Sequence, residues 1–269
     1  MKTTAYRYPN EGLVLFVTLS LVLGVIAFTA LATVCASGLF ILAYIVLSFY
    51  LGRSHHQDLL HRARRVTPQS APELAVLAQN AEKRLQPGEV QFFIAPSETI
   101  NAYTFGLSSP KAVVMYAGLF QVMDRDELAF ILGHELGHVA LGHTWLNSLV
   151  GGMAGIPSPW SAAMLMTIAF LWWNRVCEYS ADRAGLLACG KPEKAVTALI
   201  KLAAGPDADT PAELQQVYRQ LDAEDESLLG NLGELLGTHP MLIKRIEKLR
   251  QYAGSNQYKR LQALVMRND

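Results

Sequence analysis

From Gly12 to Gly52 the chain carries no Asp, Glu, Lys or Arg, a run of 41 residues. Its apolar part, Leu13–Leu51, would extend about 58 Å as one helix at 1.5 Å per residue. A bilayer's hydrocarbon core is only about 30 Å thick, so the run is too long for one span and suits two spans of about 17–20 residues. The weakest stretch, Thr33-Val-Cys-Ala-Ser-Gly38, is small and mildly polar and marks the turn of a helical hairpin. Lys2 and Arg7 precede the run, and Arg53, Arg62, Arg64 and Arg65 follow it. Positive residues on both flanks put both ends in the cytosol, which requires an even number of spans. A cleaved signal peptide over the first half would leave Leu39–Tyr50 as a second, unexplained apolar stretch. His55, His56 and His61, in the basic segment that follows, read as a solvated face beside the membrane.

A second charge-free run of 39 residues spans Leu136–Asn174. Only 17% of the chain is charged, but outside these two runs the charge density is that of an ordinary globular protein. The formal net charge is zero, and no basic helix with interleaved aromatics occurs, so a nucleic-acid partner is excluded. A hydrophobic content of 51% excludes intrinsic disorder. The three cysteines, Cys35, Cys177 and Cys189, have no CxxC spacing and make no disulfide framework. Reduced thiols suit a catalytic domain facing the cytosol.

The segments between the runs have the patterns of a small α+β domain. Ser70-Ala-Pro-Glu73 has the form of a capping box, and Leu74, Leu77, Ala78, Ala81 and Leu85 repeat at helical spacing, predicting a helix over about 71–86. Pro87-Gly88 ends it. Val90–Ile94 reads as a strand, and 102–105 with 112–116 as a hairpin. The fold class expected is mainly α with a small β-sheet.

Asp124-Arg-Asp-Glu127 again has capping-box form, and Leu128, Ile131, Leu132, Leu136 and Val139 follow at helical spacing. Inside this helix stands His134-Glu-Leu-Gly-His138, an HExxH pattern. The four-residue spacing puts both imidazoles on one face, one turn apart, where they can hold one zinc ion. Glu135 lies beside the ion's open side, where it can take a proton from water and pass it to a leaving amine. Gly133 and Gly137 each cost about 1 kcal/mol of helix propensity, so their use points to close approach of another backbone or of substrate. A catalytic zinc takes three protein ligands and a water. His143 is five residues beyond His138, off the zinc face if the helix continues, and reads as packing or surface. Glu178, in Glu178-Tyr-Ser-Ala-Asp182, is the better third ligand. Asp182, one turn further on, is set to hydrogen-bond a ligand histidine and fix its tautomer. Thr238-His-Pro240 reads locally as an N-cap with proline at the first helical position.

With these residues in view, the chain resembles the HtpX-like zinc endopeptidases, gluzincins related to the type 1 CAAX prenyl proteases. The matching pieces are Asn101-Ala-Tyr103 with Gly106, Tyr116-Ala-Gly118-Leu119, Gly133–His138, Glu178–Asp182, and Thr238-His-Pro240 followed by Arg245. The resemblance implies one Zn2+ per chain on His134, His138 and Glu178, with Glu135 as general base and Asp182 as the partner of His134. It implies that His239 and Arg245 approach the substrate or tetrahedral intermediate, although in some relatives this histidine caps the zinc instead. It implies that the strand Asn101, Ala102, Tyr103 pairs with an extended substrate peptide.

The function expected is membrane-anchored endoproteolysis by a zinc-activated water, acting on membrane-associated or misfolded polypeptides in quality control. The protein is expected to be multi-pass, with its catalytic domain on the cytoplasmic side. The expected division is a transmembrane hairpin over 1–52, a basic juxtamembrane linker over 53–70, a metallopeptidase domain over 71–252 and a C-terminal helix or tail over 253–269. Its apolar connector, 144–174, is expected to form two helices that continue the zinc helices and rest on or dip into the membrane. It is shorter than its counterpart in HtpX, with 39 residues between His138 and Glu178. A CAAX-type prenyl-protein protease would share these residues but usually has more spans. A site-2-type intramembrane protease would need an LDG-like ligand motif, which the sequence lacks. A non-catalytic membrane scaffold should have lost Glu135 or a ligand.

Overall fold

The computed structural model describes residues 3–32, 36–106, 109–145, 161–204 and 240–266. After a 3-10 turn at Thr3–Tyr6, two long helices follow, α1 (Glu11–Ala32) and α2 (Ala36–Arg62). Helix α3 (Pro72–Leu85) precedes the sheet strands β2 (Val90–Ala95), β3 (Ala102–Phe105) and β4 (Lys111–Tyr116), and a two-residue strand β1 (Arg64–Arg65) lies just before α3. The short α4 (Leu119–Val122) leads into α5 (Arg125–Ala140). Helices α6 (Ser161–Cys189), α7 (Pro192–Ala204), α8 (Pro240–Gly254) and α9 (Asn256–Met266) complete the described elements. The fold is thus mainly helical with one small mixed sheet.

The sheet order is β1-β2-β4-β3. Strands β2 and β4 run parallel, while β3 pairs antiparallel with β4 in the register Tyr103↔Val114. The expected hairpin is therefore present, and it leaves β3 at the edge. The main core joins α3, α5, α6, α7, α8 and α9, with Phe130, Leu132, Leu136, Leu186 and Leu199 fully buried.

Helix α5 begins as its sequence predicts. Asp124 accepts hydrogen bonds from the Asp126 and Glu127 amides, and the Glu127 carboxylate accepts from the Asp124 amide in return, which satisfies donors that a helix start leaves unpaired. The other predicted box does not form. Helix α3 has Ala71 at its N-cap and Pro72 in its first turn, without a side-chain cap. The hydroxyl of Ser70 bonds the Arg65 carbonyl instead. The proline already lacks one of the donors a cap would serve.

Among the described residues one helix, Glu11–Leu31, is long and apolar enough to cross a membrane. Residues 33–35 of the predicted hairpin turn lie outside the described residues. The segment expected as a linker is largely ordered structure: α2 continues to Arg62, and Arg64–Arg65 pair with β2. His55 and His61 are exposed as expected. His56 is half-buried and stacks on Phe105 with 3.9 Å between ring centroids, so it is not part of a solvated face.

As expected of the connector's second half, the apolar stretch 161–173 continues a helix of the site. It is the first half of α6, the helix that carries Glu178 and Asp182. Residues 146–160 of the connector lie outside the described residues. The N-terminal segment packs against α6 and the main core. Val14 packs with Trp173, Val176 and Cys177, Val22 packs with Ala169, and the Thr18 hydroxyl donates to the Ala169 carbonyl. Arg7 bonds the Leu141 carbonyl, the Tyr8 amide bonds the Ser180 hydroxyl, and Tyr6 is fully buried in the main core.

Candidate metal centre and peptide cleft

The site is created by how closely α5 and α6 pack. A Cβ placed on Gly133 would collide with that of Ala188, and one on Gly137 would stand 2.6 Å from the Cβ of Ala184. Across the same seam, a Cβ on Gly185 would meet the Phe130 ring at 2.8 Å. Positions 133 and 137 lie one residue before 134 and 138. The glycine stripe therefore makes the contact, and the histidine stripe stands beside it, facing Glu178 and Asp182 of α6.

The three expected ligands converge. His134 and His138 approach each other at 3.2 Å between their Nε2 atoms. Glu178 places Oε2 3.4 Å from His134 Nε2 and Oε1 3.3 Å from His138 Nε2. The edge of a tetrahedron is about 1.6 times its centre-to-corner length, so zinc bonds of about 2.0–2.1 Å need donor atoms about 3.3–3.4 Å apart. Two imidazole nitrogens and a carboxylate at these separations fit a zinc ion. A second trio, Glu11, His143 and Cys177, also brings ligand-type atoms within 4.8 Å of one another.

Both histidines have their outer nitrogens fixed. His134 Nδ1 is 2.9 Å from Asp182 Oδ1. His138 Nδ1 is 3.0 Å from Nδ1 of His143, whose Nε2 lies 3.1 Å from Oε1 of Glu11. Arg245 donates from Nε and Nη2 to Asp182, at 2.8 and 2.6 Å, and its Nη1 is 3.0 Å from Glu178 Oε2. Predicted as a substrate-side residue, it lines the cleft but has its guanidinium engaged by two carboxylates.

The electrostatics follow from these pairs. Burial alone would raise the Glu178 carboxyl, but the Arg245 charge and the bonds with His134 and His138 hold it well below the usual carboxylate range. Asp182 is lowered in the same way, against its burial, by Arg245 and His134. Burial opposes a proton on His134, yet its bonds with Asp182 and Glu178 raise it to about 10. Burial pushes the His143 imidazole down to about 4, against the pull of Glu11, so it is neutral at pH 7.

A cleft of about 280 Å³ opens over the trio and includes Asn101, Ala102, Tyr103, Thr104, Glu135 and Arg245 in its walls. The expected substrate-side residues 101–103 are thus brought beside the expected ligands, on the edge strand. His239 lies outside the described residues. Three contacts of the site are not legible in the sequence. Thr104 donates its hydroxyl to Glu135 Oε2 at 2.6 Å, and its signal was only adjacency to the Asn-Ala-Tyr strand. His143, expected as packing or surface, is buried against His138, because the helix does not continue: α5 stops at Ala140 and Gly142 adopts φ +79°, turning the chain back toward His138. Glu11 lies 132 residues from its partner His143 and had no local signal.

Comparison with known proteins gives a consistent picture. The model of peptidase family M48 matches residues 66–253. The chain is 30% identical over 184 residues to the plastoglobule-localized metallopeptidase 48 of Arabidopsis thaliana, covering 63% of this chain and 53% of that protein. It therefore spans about half the length of that relative. It is 27% identical over 233 residues to a Protease HtpX homolog of Pyrococcus abyssi, covering 72% and 78%. A Protease HtpX homolog of Desulforapulum autotrophicum is 26% identical over 245 residues, covering 78% of each chain.

Proposed function

Since the chain belongs to peptidase family M48, we propose that it is a membrane-anchored, zinc-dependent endopeptidase. The observation that carries this reading is the separation of the His134, His138 and Glu178 donor atoms, 3.2–3.4 Å, which is the edge of a tetrahedral zinc site.

His134, His138 and Glu178 would hold the metal. When bound, zinc supplies Lewis acidity that lowers the pKa of a water and polarises a peptide carbonyl. Glu135, in the wall of the cleft, takes the proton of the attacking water and returns it to the departing amine. The Thr104 hydroxyl holds one oxygen of Glu135 and leaves the other for that transfer. Asp182 keeps the proton of His134 on Nδ1, so its Nε2 lone pair faces the metal. Arg245 keeps Asp182 and Glu178 ionised, and stabilisation of the oxyanion is the role proposed for His239. An extended peptide adds to the free edge of β3 along Asn101, Ala102 and Tyr103, so recognition rests mainly on backbone hydrogen bonds. Such recognition suits unfolded segments of many sequences, in keeping with quality control of misfolded or membrane proteins.

The membrane anchor is the N-terminal hairpin. Helix α1 exposes Phe16, Leu23 and Phe28, and α2 exposes Leu39, Leu42 and Leu47, surfaces that lipid would cover. The basic residues on both flanks orient the catalytic domain to the cytoplasm. Because α1 starts against the metal centre, the cleft lies close to the membrane surface, within reach of membrane-associated substrates.

The test is zinc analysis with a protease assay on detergent-solubilised protein, comparing wild type with Glu135→Gln on casein or an unfolded membrane protein. Both should bind one zinc, and only the wild type should cleave. Undiminished turnover by Glu135→Gln would overturn the assignment.

A further inference from the structure

We propose that Glu11, in the first turn of the apolar helix α1, is a positioning residue for the metal site, acting through His143 on His138. The inference rests on the reading of His138 as a zinc ligand.

The chain of contacts is continuous and buried. Glu11 and His143 are each only 2% exposed. Glu11 Oε1 lies 3.1 Å from His143 Nε2, and His143 Nδ1 lies 3.0 Å from His138 Nδ1. A carboxylate only accepts, so His143 Nε2 carries the proton between it and Glu11. His138 Nε2 faces His134 and Glu178 and is the atom read as the ligand, so the proton of the second bond belongs to His138 Nδ1 and the His143 Nδ1 accepts it. That leaves the lone pair of His138 on Nε2, the atom 3.2 Å from His134 Nε2 and 3.3 Å from Glu178 Oε1. Glu11 thereby sets the tautomer of His138 from two residues away, as Asp182 sets that of His134 directly. No proton needs to move for this. The carboxylate fixes which nitrogen is free and the angle at which it points.

Glu11 is itself held from both sides. Arg7 and Ser180 both bond its carboxylate, and Arg7 also bonds the Leu141 carbonyl at the end of α5. The first turn of α1 is thus clamped between the two helices that supply the ligands.

The same cluster could be taken for a second metal site, since Cys177 Sγ completes the trio with Glu11 and His143. The contacts argue otherwise. Glu11 already has Arg7, Ser180 and His143 as partners, and a cation there would have to displace or face the Arg7 guanidinium. Cys177 is buried in an apolar cluster with Val14, Trp173 and Val176.

The experiment measures zinc affinity by competition with a chromophoric chelator on the detergent-solubilised full chain. Glu11→Ala and His143→Ala should each weaken zinc about 10- to 100-fold. The double variant should be no weaker than the worse single one, because the two act in series. Glu11→Gln keeps an acceptor oxygen and should recover part of the loss. The visible spectrum of the cobalt-substituted protein should shift in Glu11→Ala, reporting a changed ligand field. Val14→Ala, which loosens the packing of α1 on Trp173 and Val176 without touching these bonds, should lower Tm and leave zinc affinity and the cobalt spectrum unchanged. A wild type that binds no zinc would overturn the reading of the site itself. A wild type with one zinc whose affinity and cobalt spectrum are unmoved by both alanine variants would overturn the Glu11–His143 inference alone. So would two zinc ions per chain, with one lost on Cys177→Ala.

Discussion

Thr104 on the edge strand β3 donates its hydroxyl to Oε2 of Glu135 on α5, at 2.6 Å. The bond ties the strand proposed to hold substrate to the carboxylate proposed to move protons. A general base must lie within hydrogen-bond reach of the proton it takes, and this contact limits where Glu135 can point. Thr104→Val keeps the shape and removes the donor. It should lower kcat about 10-fold, a part of the 10²–10⁴ that general-base catalysis supplies, with KM and zinc content nearly unchanged. Steady-state kinetics and metal analysis check this, and an unaltered kcat would show that Glu135 needs no such support.

The glycine seam predicts a coupled pair. A Cβ at Gly133 has no room against Ala188, and Gly185 Cα stands 3.0 Å away. Gly133→Ala should destabilise the protein by about 1–3 kcal/mol through overpacking, despite the better helix propensity of alanine. Adding Ala188→Gly removes the first clash and should recover part of the loss. Thermal denaturation of the single and double variants would reveal the coupling, and strictly additive effects would contradict it.

Arg245 predicts a stability effect that depends on zinc. Its guanidinium serves both Asp182 and Glu178. Arg245→Met retains bulk but leaves the buried Asp182 and the half-buried Glu178 without that charge, at a cost of about 3–5 kcal/mol. A bound zinc beside Glu178 provides a replacement cation. The fall in Tm should therefore be larger in chelator than in zinc, and equal falls would count against Glu178 as a ligand.

The start of α5 predicts an acid dependence. Burial opposes ionisation of Asp124, but the bonds from Lys194 and from the Glu127 and Asp126 amides outweigh it and hold its carboxyl below the usual value. A folded pKa below the unfolded value of about 3.9 means that the contribution is fully present above that value. It is lost as pH falls through the folded pKa. Asp124→Ala should cost about 1 kcal/mol at neutral pH, and the difference from wild type should shrink as the pH is taken below about 3.9. A gap that stays constant into acid would remove the carboxylate from the account.

Much of this protein was legible in its sequence, because the features concerned are local. The apolar run, the period of α3 and α5, the capping box at Asp124, the β3–β4 hairpin and the HExxH spacing each depend on residues a few positions apart. A four-residue step puts His134 and His138 on one helix face whatever surrounds them, and a tetrahedral metal then calls for a third donor of the type Glu178 provides. The errors had local causes as well. Ser70 does not cap α3 because the N-cap position falls on Ala71 and the Ser70 hydroxyl bonds the Arg65 carbonyl. His143 does not follow the helix because Gly142 ends it with a left-handed turn.

Other features required the folded chain, because they join residues with no sequence relation. The Thr104–Glu135 bond depends on the sheet's edge facing α5. The sequence alone determined that this chain carries an apolar N-terminal run and a zinc-type helix, because composition and period are properties of neighbours. Only the tertiary structure decided that the two meet. Glu11 finds His143 across 132 residues because α1 lies along α6 through Val14, Thr18 and Val22, and the packing of one helix against another is chosen by the shapes of both surfaces, not by either sequence read singly.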